Sequence, residues 1–256
     1  MKNKFTILGC GSSLGSPWIN SKWGRCDKKN KKNIRTRCCA HIQYNNLSIL
    51  IDTSPDIRNQ LIDNRIKDVD AILYTHEHAD QTGGIFEFRP YYFANRKKIP
   101  VFADKKTKFR LKSGYPWLFK NSYLYPQIMQ LKNLKSSLVF KKNKSKLKIK
   151  SFDVIHGKII AKGYLIKKLA YISDCNAIPK KSLNLLKKLD YLILDCFRYE
   201  KHITHFNLDD AIETINFLKP KKAILTNLHT DFDYNYLKKN LPSWIVPAYD
   251  GMKIDF

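Results

Sequence analysis

The stretch from Asp70 to Gly84 constrains this chain more than any other, because an apolar run, Ala71-Ile72-Leu73-Tyr74, leads directly into Thr75-His76-Glu77-His78-Ala79-Asp80-Gln81. The run reads as a buried strand, and it opens into a cluster of metal-type ligands. Two histidines two residues apart on an extended loop can turn their rings to one ion, and a carboxylate two further on can reach a neighbouring ion. A single histidine at a strand end is more often a hydrogen-bonded surface residue, but three ligand types within five residues are a stronger signal. Gly83 and Gly84 are expected to let the chain turn tightly afterwards.

Polar residues at the ends of apolar runs recur later in the chain. His156 closes Phe152-Asp153-Val154-Ile155, Asp174 closes Ala170-Tyr171-Ile172-Ser173, and Lys222 to Thr226 leads into Asn227-Leu228-His229. Each of these alone has an ordinary explanation as a cap or a core polar group. Together they suggest one site fed by several strand ends, in a fold of two similar halves, since Ala223-Ile224-Leu225-Thr226 echoes Ala71 to Thr75.

The remaining elements read more simply. Phe5 to Leu8 predicts a first strand, and Gly9-Cys10-Gly11-Ser12-Ser13 a glycine turn close to the site; a P-loop is excluded by the missing GK[ST] ending. His41 to Tyr44 and Leu47 to Ile51 predict a hairpin turning at Asn45-Asn46. Ser54 is the expected N-cap of a helix with Pro55 at its first position and Leu61 and Ile62 on the buried side. Ile99 to Phe102 predicts a strand, Lys105 to Lys112 a short helix and Asp190 to Asp195 another buried strand. Asn207 should cap a helix that buries Leu208, Ala211, Ile212, Ile215 and Leu218 and stops at Lys219-Pro220.

Charge is the other constraint. Lys plus Arg number 47 against 22 for Asp plus Glu, a net charge of +25 that attracts polyanions. A compositional bias towards Lys and Asn is the competing explanation. The excess is concentrated, however: residues 105–150 carry thirteen Lys and one Arg with no acid, and residues 22–37 carry eight basic side chains against Asp27. Trp18 to Arg37 is polar and aperiodic and reads as a long surface loop. The 105–150 stretch interleaves lysines with Phe109, Tyr115, Trp117, Phe119, Tyr123, Tyr125 and Phe140, a mixture suited to stacking bases and holding phosphates or, equally, to packing a subdomain beneath solvated lysines. At 256 residues one domain is expected, 1–256, with a Lys/aromatic-rich insertion at about 105–150. No membrane partner is expected. The apolar run Phe5 to Leu8 is too short for a signal-peptide core, so a cytoplasmic location is expected, with most of the six cysteines as free thiols.

Thr75-His76-x-His78-x-Asp80 resembles the hallmark Thr-His-x-His-x-Asp-His of the metallo-β-lactamase superfamily, with Gln81 where that motif has its last histidine. The resemblance extends over nearly the whole chain and is weakest at about 105–150. Through Trp23-Gly24-x-Cys26-Asp27, Asp52-Thr53-Ser54-Pro55-Asp56, His202-Ile203-Thr204-His205, Leu225 to Asp231 and Pro247 to Met252 it points to the phosphoribosyl 1,2-cyclic phosphate phosphodiesterase subgroup.

The resemblance implies an α+β four-layer αβ/βα sandwich, two mixed β-sheets flanked by helices, and a metal-dependent hydrolase, most simply a phosphodiesterase using a metal-activated water on a cyclic ribose phosphate or small nucleotide-like diester. It implies a divalent metal, Zn or Mn, as one or two ions. His76, His78 and His156 would hold the first, Asp174 would bridge, and Asp80 with His229 or Asn227 would hold the second. Gln81 and Asn227 both fall on the second-metal side. His205 would be the acid that protonates the leaving oxygen, acting with Asp80 as the catalytic pair; His202 and His41 are weaker candidates. Some relatives also carry a structural zinc in a Cys-rich loop after Trp-Gly, but Cys26 alone remains of that cysteine group and none is expected here. The expected partner is a small anionic phosphate ester, with nucleic acid and a second copy of the chain as further candidates. Hydrolysis of another ester or thioester, and nucleic-acid binding without turnover, are the competing functions.

Overall fold

The computed structural model describes residues 3–123 and 125–256. Its first half supplies the strands β1 (Lys4–Gly9), β2 (Cys39–Tyr44), β3 (Leu47–Ile51), β4 (Ala71–Leu73), β5 (Ile99–Ala103) and β6 (Met129–Asn133). The second half adds β7 (Ser137–Lys142), β8 (Ser145–His156), β9 (Ile159–Ile166), β10 (Leu169–Ile172), β11 (Tyr191–Asp195), β12 (Lys222–Thr226) and β13 (Ile245–Pro247), and β14 (Met252–Asp255) returns to the first sheet.

The two seven-stranded sheets run β14-β1-β2-β3-β4-β5-β6 and β13-β12-β11-β10-β9-β8-β7. Both are mixed, and in the same way. Strands β3 to β6 pair in parallel while β14, β1, β2 and β3 pair antiparallel; β10 to β13 are parallel while β7 to β10 are antiparallel. The sheets face one another across one core, in which Phe5, Ile49, Ile51 and Leu73 of the first meet Tyr164, Tyr171, Ile193 and Ile224 of the second.

Alternation along each strand sends the intervening side chains outwards, so the buried runs are apolar on both faces. The outer face of the first sheet is covered by α1 (Ile57–Asp63) and, beyond the short α2 (Ala79–Thr82), by α3 (Arg89–Asn95), α4 (Lys105–Gly114) and α5 (Pro116–Phe119). The outer face of the second packs against α6 (Lys180–Leu183), α7 (Leu208–Leu218) and α8 (Tyr234–Asn240). Two mixed sheets flanked by helices are the four-layer sandwich expected from the sequence. Among the described residues no helix is long and apolar enough to cross a membrane.

Several local expectations are met. The hairpin turns at Asn45 and Asn46, with Asn45 at φ 48°. Helix α7 is capped by Asn207, whose side chain accepts from Asp210 N, and it ends at Lys219 in a left-handed conformation before Pro220. Others need correction. Helix α1 begins at Ile57 rather than Pro55, because Ser54 is committed elsewhere: its hydroxyl donates to Gln60 Oε1 at 2.9 Å and accepts from Asp56 N at 3.2 Å. Leu61 faces the core, but Ile62, a further 100° round the helix, is 57% exposed.

The stretch from Trp18 to Arg37 is not wholly a surface loop either. Cys26, Asn33 and Arg35 are buried, and the Arg35 guanidinium donates to the carbonyls of Phe232 (2.6 Å) and His229 (3.1 Å). Buried charge is costly without such partners, so Arg35 ties this loop to the one that follows β12. All six cysteines are free and buried. The Lys-rich stretch 105–150 supplies α4, α5, the edge strands β6 and β7 of both sheets, and the start of β8.

Candidate active site

The site is assembled where strands of both sheets end. His76 and His78 follow β4, His156 closes β8, Asp174 follows β10, Asp195 closes β11 and Asn227 follows β12. Parallel strands in each sheet end on the same side, which is why residues more than a hundred positions apart meet here.

Three imidazoles converge. His76 Nε2 lies 3.0 Å from His78 Nδ1, and His156 Nε2 lies 3.3 Å from the same atom. Only one proton can sit between any two of these nitrogens, and three of them at such distances make an arrangement suited to turning three lone pairs on one cation. Tetrahedral coordination at zinc–nitrogen distances of about 2.0–2.1 Å requires nitrogens about 3.3 Å apart, which these fit.

The far nitrogens are held in the matching tautomer. His76 Nδ1 is 2.9 Å from Thr75 Oγ1, the Thr75 hydroxyl donates to Asp52 Oδ2 at 2.9 Å, and Thr75 N donates to Asp52 Oδ1 at 2.8 Å. His156 Nδ1 donates to the carbonyl of Thr204 at 2.7 Å. Such outer partners orient ligands and fix which nitrogen faces the metal. Burial pushes the His76 imidazole down to about 3, which keeps it neutral with its lone pair available.

A second group lies beside the first: His156, Asp174 and His205 also bring ligand-type atoms within 4.8 Å of one another. Asp174 is 4% exposed; burial would raise its carboxyl, but His76, His205 and His156 hold it below the usual carboxylate range. Asp80 is pushed up by burial and by the charge of Asp174. Gln81 bridges these two acids, its amide nitrogen donating to Asp80 Oδ2 (3.2 Å) and Asp174 Oδ2 (3.3 Å), while its buried Oε1 has no partner. An unpaired amide oxygen next to two carboxylates suits a cation. The donor set therefore fits a divalent metal at the three histidines, while Asp80 lies outside both groups and is reached only through the Gln81 amide nitrogen.

The structure separates Asn227 from His229. Asn227, in a left-handed conformation at φ 61°, donates to Asp195 Oδ1 at 3.0 Å and reaches Asp174 Oδ1 at 3.5 Å. His229 lies apart from these clusters: its ring packs on Phe197 and Trp18, and its Nδ1 pairs with Asp231 Oδ2 at 3.1 Å. His202 packs on Phe197 and His205, and His41 sits in β2 bonded to Ser48.

His205 and Asp195 form the acid–base feature of the site. His205 Nδ1 is 2.8 Å from Asp195 Oδ2. Burial alone would lower this imidazole, but the Asp195 charge and hydrogen bond, with Asp174 and Asp80 behind them, outweigh it and raise it to about 9. Asp195, Asp52 and Thr204 are supporting residues to which the sequence reading gave no role, although Asp52 and Thr204 stand in the quoted motifs. The first two stand at strand ends, as Asp174 does, and that position was the available signal.

The chain turns at Gly83 and Gly84 as expected, but the turn is not what requires glycine. Neither Gly83 nor Gly84 has positive φ; Gly84 N donates to Thr53 O at 2.9 Å, and a Cβ there would run into the Ser54 carbonyl. Close approach of two backbones is what requires glycine.

A family model described as a beta-lactamase superfamily domain matches residues 48–227. A crystal structure of a new diphosphatase from the PhnP family superposes with a TM-score of 0.91 at 32% identity, over all of this chain and 98% of that one. The zinc-bound PqqB of Methylobacterium extorquens gives a TM-score of 0.80 at 15% identity, over 99% of this chain and 100% of that one, which shows a shared fold. An octanoyltransferase of Porphyromonas gingivalis is 29% identical over 96% of this chain and 50% of its own length. This chain thus spans about half the length of the curated relative it matches.

Proposed function

This chain belongs to the beta-lactamase superfamily, and on that premise we propose that it is a metal-dependent phosphodiesterase acting on a small anionic diester or diphosphate such as a cyclic ribose phosphate. The observation that carries the reading is the convergence of His76, His78 and His156 beside Asp174 and the His205–Asp195 pair. A thiolate leaves without a proton donor, whereas an alkoxide needs one, so a separate acid favours an ester of a sugar hydroxyl over a thioester.

When bound, zinc or manganese supplies Lewis acidity towards phosphoryl oxygens and acidifies a water. The chain supplies the rest. His76, His78 and His156 hold the first ion, with Thr75 and Thr204 fixing two of their tautomers, and Asp174 lies between that position and Asp80. Of the three histidines, His78 is the exposed one, so the site opens to solvent and substrate on that side. His205, held protonated by Asp195, is the proton donor to the leaving oxygen. Gln81 and Asn227 replace stronger ligands on the second side, which favours one firmly held ion over two. Similarity to a PhnP-family diphosphatase supports the phosphate class.

The test is a substrate panel with metal-loaded protein: a generic aryl phosphodiester, a cyclic ribose phosphate, a dinucleoside diphosphate and an octanoyl thioester. Hydrolysis of the phosphate substrates, abolished by His76→Ala and by Asp174→Ala, is expected. Full activity in chelator-treated protein would overturn the metal mechanism. Preference for the octanoyl thioester would overturn the substrate assignment.

A further inference from the structure

Six of the eight exposed large aromatic side chains among the described residues fall between positions 86 and 125: Phe86, Phe93, Phe109, Trp117, Tyr123 and Tyr125. The same forty positions carry ten Lys and Arg against Glu87 and Asp104. Isolated exposed aromatics need no explanation, but a contiguous shelf of them does.

Contiguity is visible in the contacts. Phe86 stacks on Tyr115 with centroids 6.4 Å apart, and Tyr115 meets Trp117 edge-on at 5.7 Å. Phe86, Phe93 and Trp117 line an open cleft of about 520 Å³ together with Arg89. The Arg89 guanidinium lies 4.9 Å from the Tyr125 ring centre and 5.8 Å from that of Phe93. The shelf is also attached to the active site, since the Tyr115 hydroxyl donates to the carbonyl of Gly83 at 3.3 Å, at the end of the helix whose first turn carries Asp80 and Gln81.

We propose that this shelf of Phe86, Phe93, Tyr115, Trp117 and Tyr125, with Arg89 among them, binds single-stranded nucleic acid. Exposed rings offer faces to unpaired bases, and stacking of that kind tolerates any sequence. The surrounding lysines and arginines match the phosphate charge, which an apolar protein partner would leave unpaired. A duplex keeps its bases stacked on one another and cannot use the rings. The occupant the shelf fits is therefore an unpaired polynucleotide strand, and its attachment through Gly83 places that strand beside the phosphodiester site. The binding claim stands independently of turnover.

Binding is measured by fluorescence anisotropy with a labelled oligouridylate of about twelve nucleotides, on the metal-free protein so that hydrolysis plays no part. Expected are affinity that weakens steeply with salt, weaker binding of a duplex of equal length, and a loss of about tenfold or more in Phe93→Ala/Trp117→Ala, with aryl phosphodiester hydrolysis by the metal-loaded variant unchanged. Circular dichroism and melting report whether that variant folds. Should it not, the single variants Phe93→Leu and Arg89→Gln carry the same expectation at smaller magnitude. Unchanged affinity in a folded variant, equal binding of duplex, or self-association of the protein without oligonucleotide binding would each overturn the proposal. Loss of hydrolysis with binding intact would count against the enzymatic reading alone.

Discussion

Asp195 Oδ2 lies 2.8 Å from His205 Nδ1, and the pair is backed by Cys175 N, which donates to the same carboxylate oxygen at 2.8 Å. A fully buried carboxylate with an imidazolium as its partner is an ion pair shielded from solvent, and removing one member leaves the other uncompensated. His205→Ala is expected to lower turnover by about 10²- to 10⁴-fold, the usual worth of a general acid, with metal content unchanged. Asp195→Asn should lower it as well, with the larger effect on kcat. Steady-state kinetics beside metal analysis checks both; loss of the metal in His205→Ala would make this residue a ligand instead of an acid.

Thr75 links Asp52 to His76. Thr75→Val keeps the shape of the side chain and removes the hydroxyl, so metal affinity should fall about 10- to 100-fold while the fold survives. Thr75→Ser should restore most of it. Competition with a chromogenic chelator reads the affinity directly, and equal affinity in wild type and Thr75→Val would show that Thr75 has no part in aiming His76.

Gln81 and Asn227 donate to the two different carboxylate oxygens of Asp174. Replacing neutral amides by imidazoles there raises ligand strength for zinc. The Gln81→His/Asn227→His variant is expected to move the metal content from about one ion per chain to about two, measured by elemental analysis after dialysis. A wild-type protein already holding two tight ions would contradict the weakness assigned to this side.

His41 carries a pH dependence far from the metal centre. It is 5% exposed, burial lowers its imidazole to about 4, and its Nε2 lies 2.8 Å from Ser48 Oγ. The unfolded chain takes up this proton at about pH 6.5, the folded chain only near 4, so the folded state loses stability as pH falls through that window. The loss amounts to about 3 kcal/mol at most, and full stability returns above pH 6.5. His41→Gln should flatten that part of the profile in urea titrations between pH 4 and 7; an unchanged slope would mean His41 is protonated in the fold.

Much of the architecture was legible as local pattern. Runs such as Ile49 to Ile51 and Leu192 to Leu194 are apolar on both faces because each strand lies between the opposite sheet and a helical layer. Caps with a mechanism, such as Asn207, were legible too. Ser54 was misplaced because its hydroxyl closes the turn before α1, and Ile62 because neighbouring helical residues point 100° apart and only Leu61 faces the sheet.

The sequence by itself determined that ligand-type side chains stand at the ends of buried strands, and hence that His76, His78, His156 and Asp174 belong to one site. Which of two neighbours enters that site was decided only by tertiary structure. Asn227 and His229 are two residues apart, and spacing does not choose between them. The choice comes from the left-handed backbone at Asn227, which turns its amide towards Asp174 and Asp195, and from Arg35, which holds the carbonyls of His229 and Phe232 and so carries the next residues away towards Trp18. Asp195 became visible as the partner of His205 for a related reason. A hydrogen bond across ten residues depends on where a strand end and a loop are packed, and packing is a property of the whole chain.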